Sequence, residues 1–260
     1  MKKKERDNKK RKKIYNFKLN KGFFILIFGL ILFLFALFFK LIIGPVEIVS
    51  YFCFSSYLLI YLGIVVQLLS KDNKLFLKSF NYIKSSKTFI YWIIVVFFFF
   101  ALIGFFFPVP EFLEQKILEI LSGLVEKIEG ISNFNLIKFI LFNNLQSSFI
   151  GIISGVFFGI FSFIGAVFNG YVLGFVLSLA FSKEGFLSLL SLLPHGIFEL
   201  PAIFISLGLG VKLGSFIFHK NKKKFLKENF VKSLVVFLLI ITPLLILAAI
   251  IEGFLIAYIS

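Results

Sequence analysis

The sequence has few of the residues that enzymes use to build a reactive centre. Its 260 residues include one cysteine, two histidines and 13 acidic residues. The single thiol, Cys53, excludes an intrachain disulfide and a thiolate metal cluster. A catalytic zinc ion needs about three protein ligands, and His219 lies in a lysine-rich stretch away from the other histidine, His195. We therefore predict no metal and no cofactor.

Common enzyme motifs are also missing. No serine stands in a Gly-x-Ser-x-Gly turn, and the sequence has no Gly-x-x-x-x-Gly-Lys-Ser/Thr loop to hold a phosphate. We therefore predict no catalytic residues, and an enzyme is the class of protein that the sequence supports least.

Hydrophobic residues dominate what is present. They make up 59% of the chain, and the mean hydropathy is +1.00. Apolar runs long enough to cross a bilayer recur along most of the sequence, which excludes a soluble globular protein. The pattern predicts an all-α, polytopic transmembrane bundle of about seven spans. The predicted spans are residues 22–39, 46–69, 88–107, a fourth from about 142, 165–181, 194–214 and 233–258.

Positive charge is concentrated in three segments, residues 1–21, 71–87 and 212–232. They hold 23 of the 28 Lys and Arg and four of the 13 acidic residues, so their net charge is +19 and the remainder carries −4. The positive-inside rule places all three segments in the cytoplasm. We predict a multi-pass protein of the cell membrane with a cytoplasmic N-terminus. Its basic segments would contact anionic lipid headgroups and would not bind nucleic acid.

This charge distribution predicts a topology that reporter fusions can test. Fusions after Lys87, Glu129, Lys224 and Ser260 should report cytoplasm, outside, cytoplasm and outside, in that order. A cytoplasmic signal from the fusion after Glu129 would contradict the assignment.

Four segments follow from these patterns. They are a basic segment at 1–21, a transmembrane hairpin at 22–69, a basic loop at 70–87 and a membrane domain at 88–258. In the basic loop, apolar residues alternate with lysines as in a helix lying on the membrane surface. Residues 111–131 have a helical period and an acidic excess, which predict an amphipathic helix on the non-cytoplasmic side. That helix would lie on the membrane, cover a partner or pack on its own protein.

Glycines recur at four-residue spacing in the last part of the chain. This spacing lets transmembrane helices approach closely and predicts that spans four to six form one compact bundle. The apolar stretch 145–181 is barely long enough for two spans, and we place its turn between Ser162 and Asn169. The predicted packing residues are Gly151, Gly155, Gly159, Gly170, Gly174, Gly210 and Gly214.

The polar pair His195 and Glu199 is the best candidate site. Residues four apart share one face of a helix, and ionisable groups at membrane depth are costly unless paired or hydrated. The pair could fix helix register, accept a proton or cation during transport, contact a partner span or, with least support, bind a metal. Pro194, Gly196 and Pro201 are expected to break the helix around it.

A position for this pair follows from the predicted topology. Asn143 and Asn144 would begin span four at the outer side, where His195 and Glu199 begin span six. We predict that these four residues form one cluster in the outer leaflet, while Asn169 caps a turn near the cytoplasmic side. If 163–181 instead re-entered the membrane, Asn169 would join the cluster.

The sequence from about residue 88 to residue 257 resembles the stage II sporulation protein M family. The resemblance implies an integral membrane protein. In spore-forming bacteria the namesake works beside partner proteins in a peptidoglycan-degrading complex, as a membrane-embedded recruiting component. A membrane-protein partner or a second copy of this chain is therefore expected. The resemblance depends on Asn143-Asn144, Gly151 with Gly155, Asn169-Gly170 with Gly174, and the run from Pro194 to Ala202.

Overall fold

The computed structural model describes residues 21–43, 47–107, 111–128, 132–185 and 193–259. These residues are almost entirely helical and include no strand. Seven of the described helical segments are long and apolar enough to cross a membrane, which confirms the predicted all-α polytopic bundle. The helices are α1 (Lys21–Ile43), α2 (Glu47–Lys71), α3 (Leu75–Ser85), α4 (Lys87–Phe106), α5 (Glu111–Ile128), α6 (Asn133–Ile153), α7 (Ile160–Glu184), α8 (Leu193–Gly214), α9 (Lys222–Val236) and α10 (Thr242–Ile259).

The chain forms two compact units, residues 1–76 and 77–260. In the first unit, α1 and α2 form the predicted hairpin and meet closely at two glycines. A Cβ atom at Gly29 would lie 2.9 Å from the backbone nitrogen of Ile60, and one at Gly63 would lie 2.6 Å from that of Leu26. Residues 1–20 of the basic segment, and Gly44 and Pro45 between the two helices, lie outside the described residues.

The second unit is centred on α4, α7 and α8. Its main apolar cluster consists of Ile93, Phe97, Ala166, Phe204 and Leu207. The rings of Phe97 and Phe204 meet edge to face, with their centroids 5.0 Å apart, the geometry that aromatic pairs prefer. Span α8 is the most buried of the candidate spans, with 56% of its most apolar window inside the protein. It is therefore the central helix of this unit.

Glycines bring the helix backbones of the second unit into direct contact. A Cβ atom at Gly155 would collide with the backbone of Gly210 on α8, and one at Gly170 would collide with the carbonyl group of Phe97 on α4. A Cβ atom at Gly214 would meet the backbone of Gly159. These contacts hold α8 against α6 and its following turn, and α7 against α4. Two more glycines bring α7 and α4 together. A Cβ atom at Gly174 would collide with the backbone of Ala101, and one at Gly104 would collide with the carbonyl group of Tyr171.

The predicted boundary between spans four and five was wrong. Helix α6 begins at Asn133, well before residue 142, and the turn to α7 is formed by Phe157, Phe158 and Gly159 rather than by residues 162–169. Phe158 and Gly159 have φ angles of 59° and 74°, the left-handed region that glycine adopts at little cost. This tight reversal follows the short 3-10 turn Ser154–Val156. Gly159 is thus a turn residue that also contacts α8.

The predicted helix break around the polar pair is also wrong. Helix α8 continues from Leu193 to Gly214 with Pro201 inside it. Pro194 is its second residue, where the missing N–H is tolerated. Neighbouring helices in a membrane can compensate for the hydrogen bond that an internal proline removes. Gly196 and Pro201 therefore lie within a continuous span.

The last span contains a local widening of the helix. Between α9 and α10 the residues Phe237–Ile241 form a π-helical segment, and the helix continues without a break to Ile259. The ring of Phe237 packs on Phe149 of α6, with centroids 5.3 Å apart. Single-turn π segments of this kind occur often at functional sites.

The predicted amphipathic helix is present as α5. It begins with two acidic residues in its first turn, Glu111 and Glu114, which favour the positive end of the helix dipole. Its side of the membrane stays a prediction. The last residues of the predicted helix, 129–131, lie outside the described part of the chain.

Candidate functional site

The sequence predicts that Asn143 and Asn144 begin span four, but they are the eleventh and twelfth residues of α6. Glu199 is the seventh residue of α8. Gly151 of α6 lies opposite Leu207 of α8 and Gly155 lies opposite Gly210, so the two helices run parallel with a constant register. If that register continues for two more turns, we expect Asn143 and Asn144 to lie level with Glu199. Glu199 and Asn144 are half-buried and Asn143 is exposed. The cluster itself stays a prediction, because the side chain of His195 lies outside the described residues.

Asn169 does not cap a turn, contrary to the prediction. It is the tenth residue of α7, about 14 Å along the helix axis from its first residue. Its side-chain amide donates to the carbonyl of Gly165 at 2.7 Å, and the neighbouring Gly170 meets Phe97 in the middle of α4. Asn169 therefore lies near the middle of a complete span.

A polar cluster that the sequence did not predict lies at the lysine-rich end of the bundle. We call it the Tyr82 cluster. It joins the end of α3 and the start of α4 to α8 and α9. Its members are Tyr82, Ser85, Ser86, Lys212, Asn229 and Ser233.

Lys212 holds the centre of the Tyr82 cluster. Its ammonium group donates to the Ser86 hydroxyl at 2.8 Å and to the Ser85 hydroxyl at 3.1 Å. The same Nζ atom lies 4.0 Å from the centroid of the Tyr82 ring, within the range of a cation–π interaction. Only 9% of the residue is exposed. Two hydroxyl groups and an aromatic face thus replace most of the water around a buried cation.

The end of α3 adds to this stabilisation. The hydroxyls of Ser85 and Ser86 both donate to the carbonyl oxygen of Tyr82, each at 2.7 Å. That carbonyl belongs to the last turn of α3, where the helix dipole is negative and favours a cation. The two serines therefore relay the electrostatic effect of the helix end to Lys212.

Tyr82 connects the cluster to α9. Its phenolic oxygen lies 3.3 Å from the carbonyl oxygen of Asn229 and 3.4 Å from the Ser233 hydroxyl. Burial raises the pKa of the Tyr82 hydroxyl to about 12, and the hydrogen bond with Ser233 lowers it by less. The hydroxyl consequently stays protonated at neutral pH and can donate to Asn229.

Sequence reasoning missed this cluster because each member fits a simpler pattern. Tyr82 belongs to the alternation that predicts a surface-lying helix, and Phe76, Leu77 and Phe80 of that helix are indeed exposed. Lys212 begins the basic stretch 212–232, which predicts only a contact with the membrane surface. A usable signal was its position, since it stands between Gly208 and Gly214 in an otherwise apolar run.

Two other buried polar groups lie on α6 and at the start of α10. Among the described residues, the hydroxyls of Ser148 and Thr242 are buried and find no hydrogen-bond partner. Thr242 directly follows the π-helical segment. Across the described ranges, no group of three or more His, Cys, Asp or Glu side chains could hold a metal ion.

Comparison with known proteins identifies the family to which most of the second unit belongs. The sequence model of the family described as stage II sporulation protein M matches residues 93–255. An uncharacterised protein from Methanocaldococcus jannaschii is 35% identical over 118 residues, which are 44% of this chain and 66% of the relative, just under two thirds of its length. No solved structure matches the chain. Lys212, Asn229 and Ser233 lie within the family match, whereas Tyr82, Ser85 and Ser86 precede it.

Proposed function

Because this chain belongs to the stage II sporulation protein M family, we propose that it is a non-enzymatic scaffold or subunit of an envelope-associated or transport assembly. It would reside in the cell membrane with its N-terminus in the cytoplasm, where its basic segments meet anionic headgroups. Its partner would be another membrane protein or a second copy of the chain. The observation that carries this proposal is the backbone contact between helices at glycines.

Helices whose backbones touch at several levels form a rigid unit. On α7, Gly170 and Gly174 meet α4 one turn apart, while Gly155 meets Gly210 of α8. Sliding one helix past another would drive side chains into these backbone contacts. A rigid unit of this kind suits a protein that holds a partner in position better than one that alternates between two conformations.

The outer faces of the same helices offer apolar surface for lipid or a partner span. Phe98, Phe99 and Phe106 of α4 are each at least 45% exposed, and so are Phe161 and Phe168 of α7. Aromatic side chains supply large contact areas at protein interfaces. A partner helix could therefore dock on this surface without disturbing the glycine contacts inside.

The alternative function is that of a small transporter or channel subunit. The observation that favours it is two buried hydroxyls that find no hydrogen-bond partner among the described residues, Ser148 on α6 and Thr242 directly after the π-helical segment. Irregular helices with polar groups at membrane depth often line substrate paths. In that case Glu199 would accept a proton or cation.

Ion flux separates the two functions. The purified full-length chain would be reconstituted in liposomes that contain a pH-sensitive or Na⁺-sensitive dye, and an ion gradient would be imposed. The scaffold proposal expects the same flux as in liposomes without protein, and a stoichiometric membrane partner retained during purification from native membranes. The transport function would be established instead if wild type supports flux and Glu199→Gln abolishes it. Glu228→Gln, on the exposed face of α9, is the control and should leave the flux unchanged.

A further inference from the structure

Two lysines from different helices approach the ring of Tyr82. The Lys212 ammonium lies 4.0 Å and the Lys232 ammonium 5.8 Å from the ring centroid. Lys232 is exposed on α9, and no carboxylate among the described residues forms an ion pair with either lysine. Two positive charges that share one ring repel each other, and a nearby anion would relieve that repulsion.

The charges around the ring suit a phosphate group. Lys232 is exposed, so its ammonium group can donate hydrogen bonds to a ligand. The hydroxyl of Ser85 already donates to the carbonyl oxygen of Tyr82 and is not a donor for a ligand. Lys212 uses two N–H groups on serines and so contributes charge rather than a free donor. A phosphate oxygen accepts charge-assisted hydrogen bonds from an ammonium group, and the second positive charge adds to the attraction.

Aromatic residues indicate the depth of this cluster in the membrane. Tyr91 and Trp92 lie in the first turns of α4 and are 62% and 60% exposed. Exposed Trp and Tyr at the end of a span mark the interface between lipid tails and headgroups. Ser86, which precedes α4, lies about 9 Å nearer the lysine-rich end than Trp92. The Tyr82 cluster is therefore at the level of the lipid phosphates.

We propose that the Tyr82 cluster, together with Lys232, binds the phosphate of an anionic phospholipid headgroup. The bound lipid would lie where α3 meets α8 and α9, and its charge would offset those of the two lysines. The chemistry recognised is a phosphate group, which inorganic phosphate shares, but the interfacial depth favours lipid. This proposal is independent of the scaffold function, since a transporter could hold the same lipid.

Native mass spectrometry of the full-length protein in detergent can test the site. The protein would be titrated with phosphatidylglycerol or phosphatidylcholine, and the apparent dissociation constant of the first bound lipid would be measured. We expect wild type to prefer phosphatidylglycerol. Lys232→Gln should weaken phosphatidylglycerol binding about fivefold, the ratio that corresponds to about 1 kcal/mol for one surface lysine. Thermal unfolding without added lipid should match wild type, because Lys232 is exposed.

Lys227→Gln is the matched control, since Lys227 is also exposed on α9 but does not approach the ring. It should change the affinity by less than twofold. Equal losses in Lys227→Gln and Lys232→Gln, or equal wild-type affinity for the two lipids, would overturn the proposal. If millimolar inorganic phosphate displaces the lipid, and binding of that phosphate itself requires Lys232, the phosphate site is supported but its ligand is soluble phosphate. Failure of phosphate to compete would assign it to lipid.

Discussion

Gly155→Leu is expected to lower the free energy of unfolding of the bundle by about 3 kcal/mol, the upper part of the usual range for overpacking. Even a Cβ atom at this position would collide with the carbonyl group and Cα of Gly210. Because the obstruction is backbone, no side-chain rotation can relieve it, and α8 would have to move away from the end of α6. Thermal or denaturant unfolding of the purified protein in detergent would measure the loss.

Two controls isolate the effect of close packing. Phe157→Leu changes a side chain two residues away that is 59% exposed, and its effect should be small. Gly123→Ala places a methyl group on α5 where nothing lies within 4 Å, and it should stabilise the helix by up to about 1 kcal/mol. If Gly155→Leu and Phe157→Leu unfold alike, the glycine contact is not what holds α6 and α8 together.

Lys212→Met is expected to lower the free energy of unfolding by about 2 kcal/mol. Methionine keeps an unbranched stem of similar length but loses two charge-assisted hydrogen bonds and the contact with the Tyr82 ring, and removing a buried charge offsets part of that loss. The damage should be local, because the cluster is what ties the end of α3 to α8 and α9. Hydrogen exchange should therefore accelerate most in α3.

The matched control for this change is Lys227→Met. Lys227 is exposed on α9 and takes no part in the cluster, so exchange in α3 should remain as in wild type. Unchanged protection of α3 in Lys212→Met would show that the Tyr82 cluster does not attach this helix.

Hydropathy predicted the spans well where charge or proline marks their ends. Helices α2, α4 and α8 begin or end within about two residues of the predicted limits. The family resemblance was also confirmed, since the family match covers residues 93–255. Both results depend on patterns that a single sequence displays directly, namely apolar length and the order of particular residues.

The errors arise where the fold depends on backbone geometry. Helix α6 begins among polar residues such as Asn133 and Asn135, because helix formation needs hydrogen bonds and not hydrophobicity. The turn at Phe157–Gly159 contains no polar residue, and Gly159 fits both a packing ridge and a left-handed turn. Only the tertiary structure decides between these roles.

The candidate site illustrates the same limit. The spacing of His195 and Glu199 is visible in the sequence, but the Tyr82 cluster joins residues about 130 to 150 positions apart. No local period links Tyr82 to Lys212 or Ser233. Long-range contacts of this kind are set by how α3, α8 and α9 pack, which a hydropathy pattern does not encode.

The short turn between α6 and α7 has a consequence for how the protein enters the membrane during synthesis. No charged residue occurs between Lys138 and Lys183, so the turn between α6 and α7 carries no charge that would hold it on one side of the membrane. Three residues are also too few to remain in water while α6 crosses alone. We therefore expect the two helices to insert as a pair, with the lysines that follow α8 fixing the orientation of that pair.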